Sequence, residues 1–175
     1  MQHKRIALVT GANQGVGFQV SKELVANGVT VLVGARNLQR GEAAAKQIGP
    51  GAIPIQLDVT DRVSIATAAE RIRKEFGRLD LLVNNAAISN TRKGSLSLEE
   101  YAKITLASNV SLDELRAVWE TNVFGVLAVY QAMLPLLRQS SDARIVNVSS
   151  GVGSLATNAD PAYPRRARSL SSECE

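Results

Sequence analysis

Aromatic residues make up only 4% of the 175-residue chain, too few for a platform on which nucleic-acid bases could stack. There is one histidine, His3, and one cysteine, Cys174. A metal site therefore has no ligand set, and no internal disulfide can form. No apolar run approaches the roughly 20 residues that a membrane helix needs. Met1-Gln-His-Lys-Arg5 leads directly into the first apolar run, without the hydrophobic stretch of a secretion signal. These absences argue for a protein of the reducing cytoplasm, with neither nucleic acid nor membrane as partner. The formal net charge of +4 does not change that, because much of the excess lies in Arg165, Arg166 and Arg168 near the C-terminus.

What is present is ordinary in amount and specific in arrangement. The apolar fraction is 45% and the charged fraction 21%, as in a single globular domain with a sizeable core. The most informative stretch is Ile6-Ala-Leu-Val-Thr10-Gly11-Ala12-Asn13-Gln14-Gly15-Val16-Gly17. Ile6 to Val9 is apolar without alternation, the signature of a strand buried on both faces. The glycines then permit a tight turn and a close backbone approach. From Gly15 onward Val16, Val20 and Leu24 share one helical face. A strand, a glycine turn and a helix start leave free N–H groups at the positive end of a helix, where a pyrophosphate can bind. A purely structural turn uses the same glycines, so this stretch alone leaves both readings open.

Further strands are expected at Thr30–Val33, Ile53–Leu57, Leu79–Val83 and Ile145–Val148, with helices over 38–48, from Thr60 or Asp61 to Phe76, and over 113–138. Gly28 and Gly77 stand where C-capping glycines belong. Pro54 places the third strand at a sheet edge, and Pro135 falls in the last turn of the long helix, where it predicts a kink. Between residues 88 and 112 the chain is polar. There Ser97-Leu-Glu-Glu-Tyr101 and Ser111-Leu-Asp-Glu-Leu115 each spell a helix start with a serine cap. Alternating strands and helices predict an α/β fold, a doubly wound parallel sheet of Rossmann type. Ligands of such sheets lie at the carboxyl ends of the strands. Gly11, Arg36, Asp58, Asn84 and Ser150 all follow strand ends.

Arg36 occupies the place after the second strand where an acid would hold a ribose 2′-hydroxyl, and no carboxylate follows until Glu42. An arginine there suits a 2′-phosphate, which favours NADP over NAD; the alternative is a solvated surface side chain. Asn122 falls on an apolar stripe formed by Leu115, Val118, Trp119, Val126, Val129 and Tyr130. A buried amide must find hydrogen-bond partners, so Asn122 is either a satisfied core residue or a functional one.

Together these segments resemble the short-chain dehydrogenase/reductase family, carbonyl-reductase-like members in particular. Thr10-Gly-Ala-Asn-Gln-Gly-Val-Gly17 matches its TGxxxGxG, and Asn84-Asn-Ala-Ala87 is similar to its NNAG. Leu57-Asp58-Val59 resembles the adenine-contacting segment, Thr121-Asn122-Val123 carries the helix asparagine, and Ile145-Val-Asn-Val-Ser-Ser150 resembles the strand that bears the catalytic serine. The resemblance implies that Thr10, Gly11, Asn13, Gln14, Gly15, Val16, Gly17, Arg36, Asp58, Val59, Asn85 and Ala86 bind the dinucleotide. It implies catalytic roles for Asn122, in a proton relay, and for Ser150, on a substrate carbonyl or alcohol.

One departure stands out. The family's acid is the tyrosine of YxxxK, and four positions after Tyr163 stands Ala167. The expectation is therefore a dinucleotide-binding domain over residues 1–160, incomplete on its C-terminal side, followed by a polar tail over 161–175. Two functional readings follow: an NADP-dependent oxidoreductase whose present chain is inactive, or a non-enzymatic dinucleotide- or partner-binding remnant. In the first, the family's sheet order would leave the fifth strand as an open edge prone to self-association.

Overall fold

The computed structural model describes residues 4–91, 97–104, 106, 108–160 and 162. Tyr163, Ala167 and the arginine cluster lie outside the described residues. Five strands, β1 (Ile6–Val9), β2 (Thr30–Ala35), β3 (Ala52–Gln56), β4 (Leu81–Asn84) and β5 (Arg144–Asn147), form one parallel sheet in the order β3-β2-β1-β4-β5. Leu8 stands level with Leu32 on one side and Leu82 on the other, and Leu82 with Ile145. The expected α/β class and parallel topology are what the chain adopts.

The unbroken apolar runs follow from burial on two faces. Ile6, Leu8, Leu32, Ile55 and Leu82 point to a layer made by Ile65, Ala69 and Ile72 of α3 (Arg62–Phe76) and by Val129, Met133 and Leu136 of α6 (Gly125–Leu137). Ala7, Val9, Val31, Val33 and Val83 point the other way. There they meet Phe18, Val20 and Leu24 of α1 (Gly15–Ala26) and Ala44 and Ala45 of α2 (Leu38–Ile48). Asn37 caps α2 by accepting the Arg40 N–H, Asp61 caps α3 by accepting the Val63 N–H, and left-handed Gly77 ends α3. Pro54 does sit on the outermost strand, β3, where its missing N–H disrupts no outer ladder.

One expectation needs correction. The single helix over 113–138 is three pieces: α5 (Leu112–Trp119), a π-helical turn (Glu120–Phe124) and α6. A π turn inserts an extra residue and rotates the following face, so the anticipated stripe breaks. Val129 is buried, but Leu115 and Trp119 are exposed, at 41% and 50%. The whole stretch Leu112–Leu137 is, by length and composition alone, long and apolar enough to cross a membrane, with a mean hydropathy of 1.2 over its 18-residue apolar window. Packing of Val129, Met133 and Leu136 in the core accounts for its apolar second half.

At the amino ends of the strands Asp80 ties three elements together. Its carboxylate accepts the Ile6 N–H at 2.8 Å, the Ser140 hydroxyl at 2.6 Å and the Arg78 Nε–H at 3.1 Å. Burial pushes its pKa up, but the bonds from Ser140, Ile6 and Arg78 together outweigh burial and hold it below the ordinary aspartate value. A depressed folded pKa contributes stability in full above the unfolded value of about 3.9, lost as pH falls through the lower folded value. Urea titrations should therefore show stability falling below about pH 4. Asp80→Ala, which strands three donors, should cost about 2–4 kcal/mol at pH 7 and flatten that acid limb.

Candidate functional site

Five strand ends open on one edge of the sheet. In spatial order they present Asp58 beyond β3, Arg36 beyond β2, the glycine turn beyond β1, Asn84 to Ala86 at β4 and Ser150 beyond β5. Four inter-strand spacings span about 19 Å, on the scale of an extended dinucleotide.

The glycine turn is the centre of this row. Gly11 and Gly15 have φ of 62° and 61°, backbone that side chains rarely adopt. At the helix start that follows, Gln14 is extended and makes no side-chain cap, and the first turn carries no acid. The N-termini of α2, α3 and α5, by contrast, are each capped by a side chain. The first N–H groups of α1 are therefore left for an anion. Gln14, Gly15 and Val16 are exposed there and Asn13 half-buried.

Gly17 is buried for a different reason. A Cβ on it would lie 2.3 Å from Asn85 Nδ2 and 2.9 Å from the Gly11 carbonyl oxygen. Asn85 reaches over to donate to the carbonyls of Thr10, at 2.8 Å, and Gly11, at 3.2 Å. In return the Thr10 hydroxyl oxygen accepts the N–H groups of Asn85, at 3.0 Å, and Ala86, at 2.9 Å. A Cβ on Gly11 would meet Ala86 Cα at 2.9 Å. Thr10, Asn85 and Ala86 thus hold the turn in shape.

Towards β3, Arg36 is exposed beside the α2 cap. Asp58 shapes its own turn: Oδ1 accepts the N–H and hydroxyl of Thr60 at 3.0 and 2.7 Å, and its N–H donates to Ser64 Oγ at 2.9 Å. Val59 is buried, and a side chain on Gly125 would bring a Cβ within 2.8 Å of its carbonyl oxygen. That contact joins the β3 exit to the helix bearing Asn122.

Towards β5, Asn84 donates to Asn147 Oδ1 at 2.8 Å, while its own buried Oδ1 has no partner among the described residues. Asn122 lies in the π turn and pairs with one backbone residue twice. Its Nδ2 donates to the Ile88 carbonyl at 2.7 Å, and its Oδ1 accepts the Ile88 N–H at 2.9 Å. Its amide is thereby satisfied as a core asparagine's would be, and it fixes the chain leaving β4. Ser150 is exposed beyond β5, at the start of the turn Gly151–Gly153. Sequence reasoning missed Asn147, Gly125, Thr91 and Glu114. Only Gly125, a glycine inside a helix, carries a visible signal.

A family model described as short chain dehydrogenase matches residues 5–164. The chain is 39% identical over 165 residues to the short-chain dehydrogenase anuI of Penicillium roqueforti, covering 90% of this chain and 60% of that protein. It is 38% identical over 158 residues to carbonyl reductase (NADPH) 1 of Sus scrofa, covering 88% of this chain and 50% of that one. Salutaridine reductase of Papaver somniferum superposes with a TM-score of 0.73 at 32% identity, over 88% of this chain and 60% of that structure. The chain thus spans 50–60% of the length of these relatives.

Asn122→Ala should leave the Ile88 N–H and carbonyl unpaired and cost about 1–3 kcal/mol in denaturant melts. Gly17→Ala should destabilise by a similar amount and displace the Asn85 amide, visible as a shifted side-chain NH2 resonance.

Proposed function

The chain belongs to the short-chain dehydrogenase family, and on that premise we propose that its site binds NADPH for hydride exchange with a small-molecule carbonyl or alcohol. The observation that carries this reading is the uncapped α1 start behind the glycine turn, at the centre of the sheet. The N–H groups from Gly11 to Gly17 receive the pyrophosphate. Arg36 pairs with the 2′-phosphate by charge and fork geometry. Asp58 and Val59 border the adenine, and Thr10, Asn85 and Ala86 keep the turn in register. The dinucleotide supplies the hydride when bound. Ser150 orients the substrate oxygen and stabilises charge developing on it, and Asn122 keeps the β4 exit in place beside it. In this reading residues 1–160 form the dinucleotide-binding unit, 161–175 lie outside it, and the protein works in the reducing cytoplasm.

The 175-residue sequence contains no Tyr-x-x-x-Lys; Ala167 stands where Tyr163 would need the lysine. A carbonyl oxygen that accepts hydride must also gain a proton. We therefore expect this polypeptide to bind cofactor without turnover, which also suits the second reading, a non-enzymatic binding module. NADPH should bind more tightly than NADH, and Arg36→Ala should erase the difference, a loss of about tenfold or more. Equal binding of NADH to the unmodified chain would remove Arg36 as the determinant. A panel of aldehydes and ketones should give no reduction above background, whereas turnover abolished by Tyr163→Phe would overturn inactivity.

Self-association along β5 is the remaining expectation. Ile145 and Val146 are 43% and 46% exposed on an edge strand. That strand begins one residue before the expected Ile145, at Arg144, whose charge partly guards the edge. Size-exclusion chromatography should show oligomers that Ile145→Lys reduces to monomer. A monodisperse unmodified monomer melting sharply above about 55 °C would count against it.

A further inference from the structure

Two helix starts in this chain are spelled alike and behave differently. Ser97-Leu-Glu-Glu100 opens α4 (Leu98–Ile104), and Ser111-Leu-Asp-Glu114 opens α5. The first closes on itself. Ser97 Oγ accepts the Glu100 N–H at 3.2 Å, while Glu100 Oε2 accepts the Ser97 N–H at 2.9 Å and its hydroxyl at 2.7 Å. That is a reciprocal capping box with an exposed carboxylate. The second makes only half the box. Ser111 Oγ accepts the Glu114 N–H at 3.2 Å, but the Glu114 carboxylate turns away to Thr91. One carboxylate oxygen accepts the Thr91 N–H and the other its hydroxyl, the latter at 2.7 Å. Glu114 is only 8% exposed.

Burying a carboxylate is unfavourable unless hydrogen bonds replace its water, and a solvent-facing capping box lay within reach. The diversion fixes the chain that leaves β4. The ties along Asn85 to Thr91 include Asn85 and Ala86 on Thr10, Ile88 on Asn122, and Thr91 on Glu114. Glu114 and Asn122 are eight residues apart, about 12 Å along the helix. Glu114 in α5 and Asn122 in the π turn that follows it thus hold two points of the same connecting segment, Thr91 and Ile88.

We propose that Glu114 is a positioning residue of the candidate site, fixing the 88–91 segment so that Ile88 and Asn122 stay in register at the end of the crevice beyond β4. This rests on the cofactor reading above for its functional consequence, though not for the clamp itself. Without Glu114 the segment loses its hold at Thr91 and loosens from that end towards Ile88.

The experiment uses the full 175-residue chain. Backbone hydrogen exchange reports on Ile88 and Thr91. Energy transfer from Trp119, the one tryptophan, to bound NADPH reports on the site. Glu114→Ala should speed exchange at both amides at least about tenfold and weaken NADPH several-fold. Glu114→Gln keeps an acceptor for the Thr91 N–H and should restore both, which a merely charged role would not predict. Glu114→Met, of similar size without an acceptor, should not restore them, which a space-filling role would not predict. Glu100→Ala, the same change in the self-closed box, should alter neither. Should Glu114→Ala fail to fold, Thr91→Val removes one of the two bonds and should speed exchange at Thr91 alone. Unchanged exchange at Ile88 and Thr91 in a folded Glu114→Ala chain would overturn the clamp, as would failure of Glu114→Gln to rescue. If the unmodified chain binds no NADPH, the cofactor reading fails, while the exchange comparison still decides the clamp.

Discussion

The approach of the β1 turn to the β4 exit is the constraint on which the site depends. The Ala86 backbone lies within 2.9 Å of where a Cβ on Gly11 would stand, and the Asn85 side chain occupies the space a Cβ on Gly17 would need. The contact is held by exchange: one threonine hydroxyl takes two N–H groups from β4, and one asparagine amide returns to two carbonyls of the turn. Each partner is a buried or half-buried neutral group, so losing one leaves the others unsatisfied. The shape of the turn, and with it the direction of the α1 N–H groups, is set from outside the turn.

The two ends of the sheet are built on different chemistry. At the amino ends a charged carboxylate, Asp80, gathers β1, β4 and the end of α6. At the carboxyl ends the ties around the glycine turn are amides and hydroxyls, and carboxylates serve only to either side, Asp58 on Thr60 beyond β3 and Glu114 on Thr91 beyond β4. Neutral ties at the turn itself leave its local field to the α1 terminus.

Much of this was legible in the sequence because its causes are local. Strands buried on both faces must read as unbroken apolar runs, and Ile6–Val9 and Thr30–Val33 do. Asp61 and Gly77 act through their immediate neighbours, so their types announce the caps. The family motifs were visible for the same reason, since the turn needs those glycines at that spacing. What stayed hidden depends on distant partners. Nothing in Glu120-Thr-Asn-Val-Phe124 spells a π turn, which follows from Asn122 pairing with Ile88 and Gly125 lying against Val59. Nothing distinguishes Glu114 from Glu100 by sequence, because only the presence of Thr91 alongside decides where the carboxylate turns.

The placement of β1 also sets a timetable for synthesis. Its pairing with β2 begins 24 positions along, as Ile6 meets Thr30, but its other edge waits for Leu81 opposite Ala7. About 50 residues separate the two events, Thr30 and Leu81 being the first partners on either side. At roughly 5–20 residues per second, the most buried strand of the finished sheet therefore spends about 2.5–10 s with one edge open. In the native chain that strand has no edge at all; during translation it is the one most in need of shelter.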